Sequence, residues 1–175
     1  MPIGVRDVPP LALDPVANVV IDVGAWLGIH AVTGYAAYRL PLRRLQRDGW
    51  LLRLRPIEDG GRLYERLGIR RWKDRLPEAG ALFGGGISKR RLPSTAEGGL
   101  RRFAAETRRA ELAHWAAMAA GPLFFLWNPP AVGVVMVLYA IVVNAPFIAI
   151  QRYNRARLDR VLARTSSSSG TDQPG

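Results

Sequence analysis

The feature that most constrains this chain is an apolar stretch over residues 131–150 that ends abruptly in the polar run Gln-Arg-Tyr-Asn-Arg at 151–155. About 20 apolar residues in a helix cross the ~30 Å hydrocarbon core of a bilayer. Two further stretches, residues 15–38 and 112–127, are also apolar, although the second of these is short. The sequence therefore predicts an all-α integral membrane protein with three transmembrane helices.

Charge is segregated from these apolar stretches. The chain has 25 Lys and Arg against 14 Asp and Glu, a net charge of +11, and most of the basic residues fall in a middle segment, residues 39–110, which prolines and glycines break into short helices. Such a charge suits anionic lipid or a phosphorylated ligand, whereas a soluble nucleic-acid binder would not need the apolar stretches. With no cysteine and only two histidines, the sequence predicts neither disulfides nor a metal site.

The order of the segments predicts a topology. Asn128-Pro129-Pro130 cannot continue a helix, so the second and third stretches should form a tight hairpin. Because basic segments stay in the cytoplasm, we expect a multi-pass cell-membrane protein with its N-terminus outside and its middle segment and C-terminus inside. Residues 1–164 should form one membrane-embedded domain, and the Ser-rich residues 165–175 a disordered tail.

The first apolar stretch contains polar residues on one face. Asp22, Trp26 and His30 are spaced four apart and align along a helix. Ionisable groups within a span usually face protein or a water-filled cavity. The other interpretation is that this end of the helix bends toward the interface. The stretch lacks the basic start of a signal peptide and is expected to stay in the mature protein.

A second polar cluster lies where the hairpin's first helix begins. Glu111 and His114 are three residues apart and share a helical face. A carboxylate beside an imidazole can fix its tautomer and raise its basicity, which is the arrangement used for general-base catalysis on a hydroxyl. Because this spacing is common by chance, an interfacial histidine beside an exposed glutamate remains an alternative. The hairpin should bring this cluster next to the polar run at 151–155.

The middle segment contains a basic motif with an aromatic residue, Arg70-Arg71-Trp72-Lys73. One interpretation is a helix lying on anionic lipid with Trp72 at the headgroup level. The other is a site that grips phosphates, for example the pyrophosphate of coenzyme A.

Three motifs occur in order: Arg-Arg-Trp-Lys at 70–73, Glu-Thr-Arg-Arg-Ala-Glu-Leu-Ala-His-Trp at 106–115, and Tyr-Ala-Ile-Val-Val-Asn-Ala-Pro-Phe-Ile-Ala-Ile-Gln-Arg-Tyr-Asn-Arg-Ala-Arg-Leu at 139–158. In them the chain resembles the glycosyl-4,4'-diaponeurosporenoate acyltransferase family, small membrane enzymes of carotenoid (staphyloxanthin-type) biosynthesis. The resemblance implies an O-acyltransferase that moves a fatty acyl group to a sugar hydroxyl of a glycosylated carotenoid or related glycolipid. The donor would be acyl-CoA or an acyl carrier protein, with no cofactor.

The matching motifs contain the candidate site residues, and we assign their roles from their chemistry. We expect His114, oriented by Glu111, to act as the base, and Arg152, Asn154 or Arg155 to stabilise the oxyanion. Substrate contacts are predicted for Arg70, Arg71, Trp72, Lys73, Arg108, Arg109, Asn144, Gln151, Tyr153 and Arg157. The alternative function is a non-enzymatic membrane subunit that binds anionic lipid through its basic cytoplasmic face.

Overall fold

The computed structural model describes residues 14–76 and 97–169, which contain helices and turns but no strand. The first helix, α1 (Pro15–Arg39), begins at Asp14, whose carboxylate accepts hydrogen bonds from the N–H groups of the first turn. It ends at Leu40, which is extended because the following Pro41 disfavours the helical conformation. Most apolar side chains of α1 are exposed, as expected of a helix that contacts lipid.

After α1, residues 42–75 of the middle segment form short helical pieces joined by turns. These are the 3₁₀ turns Leu42–Leu45, Pro56–Gly61 and Lys73–Arg75 and the helices α2 (Arg62–Arg66) and α3 (Ile69–Trp72). Two left-handed residues bend this stretch: Asp59, inside the turn Pro56–Gly61, has φ 46°, and Gly68, between α2 and α3, has φ 69°. Gly68 supplies this conformation at no steric cost and ends α2 before α3 begins. The expectation of short helices is confirmed over residues 42–75, whereas residues 97–110 of the same segment belong to a long helix, Glu97–Ala119.

Two long helices complete the fold. Helix α4 (Glu97–Ala119) is followed by the 3₁₀ turn Gly121–Leu126, and α5 (Pro130–Ser169) returns antiparallel to α4 and packs along it. Helix α5 begins at the second proline of the Asn-Pro-Pro turn, where a missing N–H costs nothing. The two helices thus form the hairpin that the Asn-Pro-Pro sequence predicts.

The number of membrane helices differs from the prediction. Within the described residues two helices are long and apolar enough to cross a membrane, Pro15–Arg39 and Pro130–Ala163, and not three. The apolar stretch 112–127 is not one helix, because α4 ends at Ala119 and the chain continues through Gly121-Pro122 as a 3₁₀ turn. Proline at this position removes a helical hydrogen bond, so the stretch does not form a single α-helix.

Helix α5 extends well beyond the predicted end of the third span. It continues through the polar run at 151–155 and ends at Ser169, so residues 165–169 are helical although the sequence predicts a disordered tail from 165. Residues 170–175 lie outside the described part, as do residues 1–13 and 77–96 of the predicted domain.

A buried polar network joins the start of α1 to the hairpin turn. The carboxylate of Asp22 accepts hydrogen bonds from the indole N–H of Trp127 at 2.7 Å and from the side-chain amide of Asn128 at 2.9 Å. Asn18 donates to the amide oxygen of Asn128. The start of α1 and the turn therefore lie at the same end of the bundle, called the turn end below. Asp22 faces protein, as one of the two interpretations of its helical face requires.

Next to this network, the three long segments share an apolar core, called the aromatic cluster. Trp26 of α1 stacks on Phe124 at a centroid distance of 4.7 Å and packs against Ala140 of α5, with Met118 of α4 at the edge. Gly121 permits this packing, because a Cβ added there would lie 3.0 Å from the Cβ of Ala140. The cluster fixes the relative height of α1, α4 and α5.

Candidate active site

The polar residues at the start of the hairpin and at its end are in direct contact. Glu111 of α4 is fully buried, and both its oxygens are engaged by α5: Oε1 accepts from Arg152 Nη1 at 2.6 Å, and Oε2 from Arg155 Nη1 at 2.6 Å. The indole of Trp115 donates to Oε1 as well, at 3.2 Å. The two ends of the hairpin therefore meet through charge.

Arg152 also holds both the 3₁₀ turn Pro56–Gly61 and the loop that precedes it. Its Nε donates to Glu58 Oε1 at 2.9 Å, and its Nη2 donates to the same oxygen. The carbonyls of Leu51 and Arg53 accept from the two Nη groups at 3.3 and 2.8 Å. Because all its nitrogens donate to protein, the guanidinium is fully committed.

Arg155 has a similar role one turn further along α5. It is fully buried, donates to the carbonyl of Leu52 as well as to Glu111, and has Asp48 3.8 Å from its Nε. Glu58, Glu111, Arg152 and Arg155 together form a charge-balanced set of two carboxylates and two guanidiniums, called the arginine clamp. The clamp fastens the loop at 51–58 to α4 and α5.

The clamp corrects two expectations about geometry. Glu111 does not orient His114, because its carboxylate is taken by Arg152, Arg155 and Trp115. All the nitrogens of Arg152 donate to carboxylates and backbone carbonyls. Arg155 donates to Glu111 and to the carbonyl of Leu52, and its Nε, which has no hydrogen-bond partner in the described residues, is buried away from any substrate. Their oxyanion role, inferred from sequence alone, has no geometric support in the described residues.

His114 has a different partner. Its Nδ1 lies 3.0 Å from the amide oxygen of Asn144 on α5, and its ring stacks on Phe147 with centroids 4.7 Å apart and an interplanar angle of 8°. Asn144 is fully buried, and its amide nitrogen donates to the carbonyl of Ala140 at 2.9 Å. The imidazole is therefore fixed by a stacking ring on one face and a hydrogen bond in its plane.

This arrangement decides the tautomer of His114. Since the amide nitrogen of Asn144 donates to Ala140, its oxygen faces the imidazole and can only accept. Nδ1 must then carry the proton, which leaves the lone pair on Nε2. Asn144 thus orients His114 and fixes its tautomer, the role that the sequence predicts for Glu111. Nε2 is available to accept a proton from a substrate.

The basic motif at 70–73 packs on α5 through Tyr153. Arg70 donates to Glu65 at 2.7 Å and to the hydroxyl of Tyr153 at 3.3 Å, and the Tyr153 hydroxyl donates to Glu65 at 3.2 Å. The hydrogen bond from Arg70 lowers the pKa of the Glu65 carboxyl. Trp72 packs beside the core formed by Ile69 and Tyr153 and donates to the carbonyl of Leu67. Tyr153 and Trp72 therefore anchor this motif.

The cations predicted to bind phosphates do not form one cluster. Arg108 pairs with Asp48 at 2.6 Å, and Arg109 pairs with Glu106 at 3.0 Å and donates to the carbonyl of Leu40. In the basic motif, Lys73 pairs with Asp74, Arg70 pairs with Glu65, and Arg71 is exposed. The remaining predicted residues lie along α5: Gln151 and Asn154 are half-buried, and the Arg157 guanidinium lies 5.7 Å from the Tyr153 ring centre.

Comparison with known proteins adds the family. Residues 47–164 match the profile of glycosyl-4,4'-diaponeurosporenoate acyltransferase, more than half of the chain. The chain belongs to this family. It is 26% identical over 138 residues to the protein of that name from Staphylococcus aureus strain bovine RF122 / ET3-1, covering 78% of this chain and 83% of that protein, and the protein of strain USA300 gives the same values. No solved structure matches the chain.

The region that matches the glycosyl-4,4'-diaponeurosporenoate acyltransferase family contains both the arginine clamp and the His114–Asn144 pair. Helix α1 lies before residue 47, outside that match. In the described residues, no group of three or more His, Asp or Glu side chains could hold a metal ion. The resemblance seen in the sequence is thus confirmed at the level of the family.

Sequence reasoning missed three residues of this region of the acyltransferase. Glu58 and Asp48 are the carboxylates that Arg152 and Arg108 use, and Phe147 is the ring under His114. A signal for the first two existed, because an isolated acid within a strongly basic segment has many cations to pair with. Phe147 is three residues after Asn144 on α5, a spacing that places both on one face.

The orientation of His114 gives a testable prediction. We expect Asn144→Leu to lower the rate of acyl transfer roughly ten- to a hundredfold, because losing a buried hydrogen-bond partner costs about 1–3 kcal/mol. The matched control is Asn128→Leu, another fully buried amide on the hairpin, which should lower the unfolding midpoint but keep the transfer rate per folded molecule. Initial rates with equal amounts of folded protein measure both. Equal rates for wild type and Asn144→Leu would contradict the assignment.

Proposed function

We propose that this chain is a membrane O-acyltransferase that moves a fatty acyl group from an activated donor to a sugar hydroxyl of a glycosylated carotenoid or a related glycolipid. Family membership supports the acyl transfer and the type of acceptor. The observation that carries the mechanism is the His114–Asn144 pair, since it leaves one imidazole nitrogen free to take a proton.

The proposed reaction has one base and needs no cofactor. Nε2 of His114 takes the proton of the attacking sugar hydroxyl as its oxygen bonds to the thioester carbon. The tetrahedral intermediate then collapses, the carbon–sulfur bond breaks, and the leaving thiolate receives the proton from His114. The donor would be acyl-CoA or an acyl carrier protein. Phe147 holds the imidazole plane, and Asn144 keeps its tautomer through these steps.

The clamp has a positioning role in this proposal. Arg152 and Arg155 hold α4 and α5 together about two and about three helical turns from Asn144, so that His114 on α4 meets Asn144 on α5. Gln151 and Asn154 remain candidates for contacts to the sugar. Exposed cations of the middle segment, Arg71 among them, would meet the phosphates of the donor.

A membrane location suits these substrates. The acyl chain and the carotenoid both dissolve in lipid, while the sugar and the thioester stay near the interface. We propose the multi-pass orientation with the N-terminus outside and the C-terminus in the cytoplasm. The start of α1 and the hairpin turn at one end, and the basic middle segment at the other, are consistent with the positive-inside rule.

Lipid extracts test the proposed function in cells. A host that makes a glycosylated carotenoid is compared with and without this gene by mass spectrometry of its lipids. We expect a new species in the expressing cells, heavier than the glycoside by one fatty acyl group and lost on mild alkaline hydrolysis of esters. Identical extracts from cells in which the protein is inserted in the membrane would contradict the proposal.

A further inference from the structure

Of the chain's two histidines, His30 has no role in the reaction above. His30 lies on α1 four residues after Trp26, and the centres of the two rings are 5.8 Å apart. Its side chain is half-buried, and neither ring nitrogen has a hydrogen-bond partner among residues 14–76 and 97–169. An imidazole in a helix apolar enough to cross a membrane is costly to leave unpaired. The ring nitrogens of His30 are therefore available to a partner that the described residues do not supply.

The packing brings His30 to the level of His114. Trp26 of α1, Met118 of α4 and Ala140 of α5 lie together in the aromatic cluster. One turn from the cluster, away from the turn end, is about 5.4 Å along each helix. On α1, this step of one helical turn leads from Trp26 to His30. The same step leads from Met118 to His114 on α4 and from Ala140 to Asn144 on α5.

Burial lowers the pKa of the His114 imidazole, and a positive charge on His30 would lower it further, which agrees with this placement. The other ionisable groups of the three helices near this level are engaged elsewhere. Asp22 is two turns away in the turn-end network, and Glu111 is held by the clamp. Tyr139 of α5 packs its ring against Trp26. The two histidines are thus the ionisable groups of these helices that remain at this level.

The other hydrogen-bond donors near this level are also used. The Trp26 indole donates to the sulfur of Met136 at 3.4 Å, and the Asn144 amide to Ala140. The hydroxyl of Thr33 donates to the carbonyl of Ile29 at 2.7 Å. Arg152 and Arg155 are committed to the clamp. His30 is the side chain at this level whose ring N–H has no acceptor within the described residues.

We propose that His30 is a second catalytic imidazole, whose ring N–H donates a hydrogen bond to the carbonyl oxygen of the acyl donor while His114 takes the proton of the sugar hydroxyl. This inference rests on the proposed acyl transfer. As the new carbon–oxygen bond forms, negative charge collects on the carbonyl oxygen, where a preorganised donor lowers the barrier. When the intermediate collapses, the carbonyl re-forms and the carbon–sulfur bonding pair leaves on sulfur, so His30 keeps its own proton throughout.

Substitution at His30 tests this role by rate. His30→Phe keeps a ring beside Trp26 but removes the N–H, and should slow acyl transfer roughly 10²–10³-fold with little change in KM, as loss of an oxyanion donor does. His30→Gln restores an N–H donor and should recover part of the rate. The matched control, Thr33→Val on the same side of α1, loses only a local hydrogen bond and should transfer at the wild-type rate. A wild-type rate for His30→Phe would overturn the proposal.

A second measurement does not depend on activity. Because the chain has two histidines, protein labelled with ¹³C-histidine in nanodiscs of neutral lipid gives two ring signals to follow with pH. We expect the titration midpoint of His114 to move to higher pH in His30→Phe, because a neighbouring like charge is removed. An unchanged midpoint would overturn the shared site. If the wild type forms no ester while the two rings still titrate as a coupled pair, the proposed function fails but the shared site stands.

Discussion

A protein in which His114 is replaced by glutamine is expected to fold and insert normally but to transfer acyl groups roughly 10²–10⁴-fold more slowly than the wild type. Glutamine can still donate to the amide oxygen of Asn144 and pack on Phe147, so the contacts that hold α4 against α5 remain. It has no basic nitrogen, however, and cannot accept the hydroxyl proton. The loss should fall on kcat, because the base acts in the transition state and not in substrate binding.

The measurement is the initial rate of ester formation by purified protein in lipid nanodiscs, with the unfolding midpoint recorded on the same samples. His114→Gln with the midpoint and the rate of the wild type would show that His114 is not the base. A rate loss accompanied by an equally large loss of folded protein would point to a structural role and would also count against the assignment.

The second large effect concerns stability. Glu111→Gln keeps the size and shape of a fully buried side chain but removes the charge that faces Arg152 and Arg155. Arg152 would then keep only Glu58, and the fully buried Arg155 only Asp48, which lies 3.8 Å from its Nε. Breaking a buried ion pair by removing one partner costs about 3–5 kcal/mol, because the remaining charge is left uncompensated. We expect a loss of that size in the free energy of unfolding in mild detergent.

Asp59→Asn is the matched control for this experiment. Asp59 makes an exposed ion pair with Arg62 at 3.6 Å, which is worth about 1 kcal/mol or less. Its φ of 46° is tolerated by asparagine, so the backbone should not be strained. If Glu111→Gln and Asp59→Asn lowered the unfolding free energy equally, the clamp would not be the structural centre of the hairpin.

The sequence predicted the all-helical fold and the meeting of the two ends of the hairpin. That inference depended on Asn128-Pro129-Pro130, because a break of this kind forces the following helix to turn back. The count of spans was wrong because hydropathy reports the length of an apolar stretch and not the continuity of its helix. Gly121-Pro122 divides the stretch at 112–127, and the local signal for that division was present.

The partners of the site residues could not be read from spacing. Glu111 and His114 share a helical face, but the carboxylate binds Arg152 and Arg155 from α5, which supply stronger, charge-assisted hydrogen bonds than an imidazole. His114 takes the amide of Asn144, thirty positions away along the chain. Tertiary packing decides such choices, and helical periodicity carries no information on them.

The geometry also changes how the lipid-binding alternative can be tested. Replacing Arg152 and Arg155 with lysine keeps the positive charge, which is all that attraction to anionic lipid requires. In the clamp, however, each guanidinium donates to carboxylates and carbonyls through different nitrogens, a pattern that a lysine ammonium cannot reproduce. The lysine variants should be unstable on either account. His114 and Asn144 are the positions that distinguish enzyme from anchor, because lipid docking does not need a neutral base.

Ester formation by the purified protein tests the central claim most directly. The wild type in nanodiscs of neutral lipid is given a glycosylated carotenoid and a ¹³C-labelled acyl-CoA or acyl carrier protein, and the products are analysed by mass. We expect the wild type to form a labelled ester on the sugar, and His114→Gln to form it roughly 10²–10⁴-fold more slowly. No labelled ester from folded wild-type protein with either donor would contradict it.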